Sequence, residues 1–174
     1  MTQLKDIVDR IEQKVSPPVH LWQPDQCGEI DIRIDEQGFW FHEGDSIDRV
    51  NLVKLFASIL WFEGGRHYLV TPVEKLQIVT EDAPFLINQV EFIESSWLVT
   101  TNLQEQMIVG ESHPVELRLF RRQWVPYVKV RYDLWARVNR NVYYQWVTQA
   151  VEERIDDGEL QLSSSGYKFE VARE

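Results

Sequence analysis

The densest chemistry in the chain lies between Arg118 and Arg140. Seven bases (Arg118, Arg121, Arg122, Lys129, Arg131, Arg137, Arg140) meet one acid there, Asp133. Six of the seven are arginines, whose planar fork suits bidentate contact with phosphate or carboxylate. Phe120, Trp124, Tyr127, Tyr132 and Trp135 are interleaved with them and offer rings for stacking. On a strand, Tyr127, Lys129 and Arg131 would share one face, and Val128, Val130 and Tyr132 the other. The opposite imbalance occurs between Asp25 and Asp48, where eight acids face one base, Arg33. Three readings of the basic segment stand open. It neutralises the acidic segment or forms a solvated face; it holds a small anion such as a nucleotide; or it tracks single-stranded nucleic acid. A net charge of −10 opposes the last of these.

Other reactive residue types lack a supporting pattern. His20, His42, His67 and His113 are scattered, with no pair at zinc-site spacing. No phosphate loop or dinucleotide-type glycine fingerprint is present. Ser163-Ser164-Ser165-Gly166 reads as a polar turn, because no strand–turn–helix context surrounds it. Cys27 precedes Gly28 in a turn with no base in view, and Asp31 and Asp35 alternate with Arg33 as exposed strand charges do. The expectation is a protein that is not an enzyme, with no catalytic residues, metal or cofactor.

The chain has 174 residues, of which 44% are hydrophobic and 26% charged, enough for one full domain or two small ones. Its acid excess argues against DNA, RNA and anionic membranes as partners. No uncharged apolar run approaches the ~18 residues of a membrane helix, and the first residues lack the order of a signal peptide. With a single cysteine, these features give a cytoplasmic expectation.

The elements that must position these residues follow from periodicity. Leu4, Ile7, Val8, Ile11 and Val15 form a helical stripe closed by Ser16-Pro17-Pro18. Ile30, Ile32 and Ile34 alternate with charges as a strand, and Phe39-Trp40-Phe41 returns after Glu36-Gln37-Gly38. A second helix is predicted from about Asp48 to Phe62, ended by Gly64-Gly65, and a third from about Asn139 to Arg154. Between them run strands at Tyr68–Val70, Leu76–Val79, Phe85–Ile87, Trp97–Val99, Val115–Leu119 and Val125–Tyr132. Two short strands follow, flanked by Asp157-Gly158 and Ser163–Gly166. Strands in sequence without intervening helices predict antiparallel sheets in an α+β fold. The segment Ile47–Ala57 can be laid on Val138–Thr148, each giving an aliphatic residue, Asp or Asn, Arg, and then a matching stripe. That match reads as an internal duplication. Of seven tryptophans, Trp40, Trp61, Trp97 and Trp146 sit at core-like positions, and Trp22, Trp124 and Trp135 lie near turns.

Several separated elements carry a family resemblance. They include Cys27-Gly28, Gly38-Phe39-Trp40, Ile47-Asp48-Arg49, Leu55-Phe56-Ala57, Leu69-Val70-Thr71-Pro72-Val73-Glu74-Lys75 and Ala83-Pro84-Phe85. Arg33, Leu52-Val53, Tyr68, Thr101-Asn102, Pro126–Arg131, Leu134, Ala136, Arg137 and Arg140 complete the set. Together they resemble the bacterial family called domain of unknown function 1285, from about Pro18 to Phe169. The resemblance implies duplicated sheet-plus-helix units, the second half similar to a pleckstrin-homology-like fold. It also implies a nucleotide-type ligand at the junction of the halves and a signalling role. Residues 1–80 would form the first half and 81–174 the second. The ligand-binding residues would be Arg49, Thr71, Tyr127, Arg131, Arg137 and Arg140. The alternative function is a module without small ligand that docks an acidic protein partner.

Overall fold

The computed structural model describes residues 3–154 and 158–173. The chain divides into two compact units. The first comprises Val15–Pro84 with Tyr132–Leu134, and the second holds the described residues up to Lys14, Phe85–Arg131, and those from Trp135 onward.

In the first unit, β1 (Gln26–Ile34), β2 (Trp40–His42) and β3 (Asp45–Ser46) are followed by α2 (Val50–Ser58). Then come β4 (Leu60–Glu63), β5 (Arg66–Val70) and β6 (Glu74–Thr80), giving a sheet of order β3-β2-β1-β6-β5-β4. The isoleucine alternation in β1 does what it predicts: Ile32 and Ile34 are buried, whereas Asp31 stays exposed. Trp40 packs on Phe56 of α2, with ring centroids 6.2 Å apart. Outside the core, Glu81 accepts the Glu36 N–H at 3.0 Å and an Arg33 guanidinium N–H at 2.6 Å. The Glu36 N–H first, then Arg33, holds the Glu81 carboxyl below the usual carboxylate range.

The second unit begins with α1 (Leu4–Glu12), which buries Ile7 and packs against β9 (Gln106–Ile108). Its sheet runs β10-β11-β12-β7-β8-β9 and curls into a half-barrel, as the pleckstrin-homology-like expectation requires. The strands are β7 (Phe85–Ile93), β8 (Ser96–Thr101), β10 (Val115–Phe120), β11 (Gln123–Arg131) and β12 (Leu134–Val138). α3 (Arg140–Glu153) and the hairpin β13 (Leu160–Ser164)–β14 (Tyr167–Ala172) pack on this sheet. Asn139 caps α3 by accepting the Val142 N–H at 2.9 Å, an interaction worth about 1 kcal/mol. Trp146, fully buried, meets Trp97 edge-on at 6.0 Å and Phe169 at 5.1 Å. Asp157 lies outside the described residues, and the last hairpin turns at Ser165-Gly166.

The two sheets share one path. In each, three strands step outward from the centre, three step back inward, and the first and last strands meet as a parallel pair. β1 pairs with β6 in this way, and β7 with β12. The α+β duplication therefore resides in the six-stranded path, with one parallel pair inside each otherwise antiparallel expectation. It does not resides in the register that lays Asp48-Arg49 on Asn139-Arg140. α2 lies between the third and fourth strands of its sheet, whereas α3 follows the sixth of its own. Asn139 is the N-cap of α3, but the corresponding cap of α2 is Arg49, one residue after Asp48.

Three local expectations are corrected. The second helix stops at Ser58, and Leu60–Glu63 is a strand whose Trp61 pairs with Tyr68. Gly64-Gly65 is then a hairpin tip, with φ of 58° and 79°, and no helix terminus. Val15 lies beyond the end of α1 and is 93% exposed, because the chain leaves the helix before the two prolines.

Candidate basic surface of the second unit

The β10–β11 register places Glu116 opposite Tyr127, Arg118 opposite Val125 and Phe120 opposite Gln123. Directly opposed residues share a face, so Arg118 and Tyr127 lie on the same side of the sheet. The Arg118 guanidinium sits 5.2 Å from the Tyr127 ring and 4.2 Å from the Trp135 ring, and donates to Glu116 at 3.1 Å. Lys129 lies 5.8 Å from Trp135, while Arg137 and Arg121 lie 4.0 Å and 5.6 Å from the ring of Phe120. At the end of β14, Arg173 covers Trp124 at 5.2 Å and is held by two bonds to Glu170. Cations over rings are worth about 0.5–1 kcal/mol each at exposed sites and more where water is excluded. The result is a ladder of alternating cations and rings across β10, β11 and β12.

The six residues singled out by sequence are distributed as follows. Arg49 and Thr71 belong to the first unit, and Tyr127, Arg131, Arg137 and Arg140 to the second. Tyr127 and Arg137 lie in the ladder and are buried, at 3% and 9% exposure. Arg131 lies apart from it, closed on Glu105, and Arg140 is exposed at the start of α3 beside the Tyr144 hydroxyl at 3.2 Å. Arg49 is exposed. Thr71 accepts the N–H groups of Val73 and Glu74 at 3.3 and 3.0 Å, which shapes the turn before β6. Its own hydroxyl proton is directed elsewhere.

Glu105 carries no signal of a site in the sequence, and Arg118 and Trp135 stand out in the basic segment but not among the six ligand-binding residues. Their residue types were conspicuous, but only the strand register brings Arg118 to Trp135. The tip of the β10–β11 hairpin is also unusual. Arg121 and Arg122 both have left-handed backbones, with φ of 48° and 66°. Two-residue hairpin tips favour Asn-Gly there, and a side chain costs about 1 kcal/mol per residue.

Two clefts lie within single units. One of about 330 Å³ in the first unit is lined by exposed Cys27 with His20, Trp61 and Lys75. The other, about 740 Å³ in the second unit, lies among Ile11, His113, Ser165 and Tyr167. In it, His113 Nδ1 donates to the Lys129 carbonyl at 2.9 Å, which fixes the ring's tautomer. Among the described residues no three His, Cys, Asp or Glu side chains are grouped to hold a metal, and no helix is long and apolar enough to cross a membrane.

Comparison with known proteins accords with this architecture. Residues 17–83 match the family model described as domain of unknown function (DUF1285), N-terminal domain. Residues 84–171 match the protein of unknown function (DUF1285), C-terminal domain. The crystal structure of a DUF1285 family protein from Silicibacter pomeroyi DSS-3 is similar at 36% identity and a TM-score of 0.83, covering 99% of this chain and 96% of that one. Another, of a DUF1285 family protein from Shewanella baltica OS155, is similar at 31% identity and a TM-score of 0.56, covering 68% of this chain and 91% of that one. No curated protein matches the chain. The chain belongs to the DUF1285 family.

Proposed function

We propose that the protein is a non-catalytic interaction module of signalling type that docks an acidic protein partner through the basic surface of its second unit. The observation that carries this reading is the exposed end of the β10–β11 hairpin. Arg121 and Arg122 stand there beside Leu119, which is 62% exposed, and Arg118, whose side chain is 40% exposed. In a chain of net charge −10, this concentrates positive potential on one edge and steers an acidic partner to it. The test is fluorescence anisotropy of labelled poly-glutamate at low and high salt. Binding at low salt that weakens at least tenfold at high salt is expected, since exposed charges are screened. Absence of binding at low salt overturns the reading.

A nucleotide-type ligand is the second reading, favoured by exposed Arg140 at the start of α3. Its residues within the second unit are Tyr127, Arg131, Arg137 and Arg140. A thermal-shift screen against nucleotides separates it from docking: a shift for one class that disappears in Arg131→Ala selects the nucleotide.

A further inference from the structure

We infer that the cleft of the first unit binds a free α-amino acid with a planar side chain, its ring held among His20, Trp22 and Trp61 and its two charged ends by Glu63 and Lys75. The cleft belongs to the first unit and the docking surface to the second, so failure of either reading leaves the other standing.

Strand register builds one wall. Trp61 stands opposite Tyr68, Val70 opposite Lys75, and Lys75 opposite Cys27 on its other side. Opposed residues share a face, as do alternate residues of one strand. Trp61, Glu63, Val70, Lys75 and Cys27 therefore project from one side of the sheet, whereas Leu60, Leu69 and Ile78 project from the other and are buried. The segment from the short 3-10 turn Val19–Leu21 to Pro24 supplies the rest of the lining. Tyr132, of the same unit, fixes two of the rings. Its hydroxyl is hydrogen-bonded with His20 Nδ1 at 2.6 Å, and its ring centroid lies 5.2 Å from that of Trp61. Rings held in place before a ligand arrives lower the ordering cost of binding.

The lining selects the occupant. A cleft of about 330 Å³ stands at the small end of ligand sites, which run from roughly 300 to 1,000 Å³, and suits one amino acid better than a nucleotide. Aromatic walls favour a flat apolar body. The Lys75 ammonium pairs with Glu63 and lies 4.5 Å from the centre of the Tyr68 ring. The Lys75 side chain is only 22% exposed, against 59% for Glu63. A ligand with a single charge would satisfy one member of this pair and strand the other. A zwitterion replaces both, its carboxylate accepting from Lys75 Nζ and its ammonium donating to Glu63. A phosphate ester would instead set further negative charge against Glu63.

Cys27 lines the cleft, is exposed, and is the chain's single cysteine, so its alkylation by iodoacetamide reports occupancy. L-Tryptophan, L-tyrosine and L-phenylalanine are titrated by calorimetry and by alkylation rate. At least one should bind and slow alkylation several-fold at saturation. Its N-acetyl and amide derivatives, each lacking one charge, should bind about tenfold or more weakly. No binding of any of the three amino acids at millimolar concentration overturns the site, as does binding that leaves the alkylation rate unchanged. Equal affinity of either derivative overturns the zwitterion. Glu63→Gln changes an exposed side chain, so its melting temperature should match the parent's. It should weaken the amino acid about tenfold and leave the N-acetyl derivative unaffected; unchanged affinity for the amino acid overturns the role of the pair.

Discussion

One nitrogen of Arg131, Nη1, contacts both carboxylate oxygens of Glu105, at 2.9 Å to Oε1 and 2.8 Å to Oε2. The side chains are only 18% and 21% exposed, and the Phe85 ring lies 5.4 Å from the guanidinium carbon. A pair this sheltered from water is coupled more strongly than a surface salt bridge. Glu105→Gln should therefore cost about 1–3 kcal/mol in urea denaturation. Arg131→Ala should cost a similar amount, and the double variant less than the sum of the two. Additive losses would show that the pair is not coupled.

Acid should destabilise the first unit through His67 and Glu81. Burial pushes His67 down to about 4, so the folded state keeps the ring neutral while the unfolded chain protonates it near 6.5. The unfolded state thus binds more protons, and stability present above pH 6.5 is lost as pH falls towards 4. With His67 still partly exposed, the loss is about 1–3 kcal/mol. Glu81, held below its ordinary value, acts in the same direction at lower pH. Melting temperature followed from pH 7 to 4 should fall, and His67→Gln should flatten the upper part of that fall. An unchanged profile in the variant would remove His67 as the cause.

The β4–β5 tip offers a test of the corrected boundary of α2. Gly64 and Gly65 have φ of 58° and 79°, with nothing within 4 Å of where a Cβ would stand. Gly64→Asn should be close to neutral, because asparagine suits the first position of this turn. Gly65→Ala should cost about 1 kcal/mol, from backbone strain alone. Chemical denaturation of the two variants reads both values, and an Asn cost equal to the Ala cost would refute this turn.

How much of this was legible depended on where each residue's partner lies. The β1 alternation, the turn at Ser165-Gly166 and the α3 stripe of Val142, Tyr143, Trp146, Val147, Ala150 and Val151, of which Val142, Trp146 and Ala150 are buried, were readable because they are set by neighbours along the chain. The end of α2 was not. Ile59 and Leu60 continue its apolar spacing, and only pairing with the later β5 turns Leu60–Glu63 into a strand. β12 was hidden because Ala136 and Arg137 carry no strand signal, and its place comes from Phe85 and Leu86 far upstream. For the basic surface, composition announced the arginines and rings, but not their pairing. Arg118 meets Trp135 only across the sheet, and Glu105 meets Arg131 from a segment with no pattern of its own.

The parallel pairing of first with last strands also dictates an order of assembly. As the chain leaves the ribosome, β1 gains β2 at once but must wait for β6 to cover its other side. β7 waits likewise for β12, and α1, made before either sheet, has no β9 to rest on until residues 106–108 exist. Each sheet therefore closes at its centre last, through contacts distant in sequence, which is the slow route to a folded domain. During that interval the inner edge of β1 is open to strands of other nascent chains, the situation in which holding chaperones matter most.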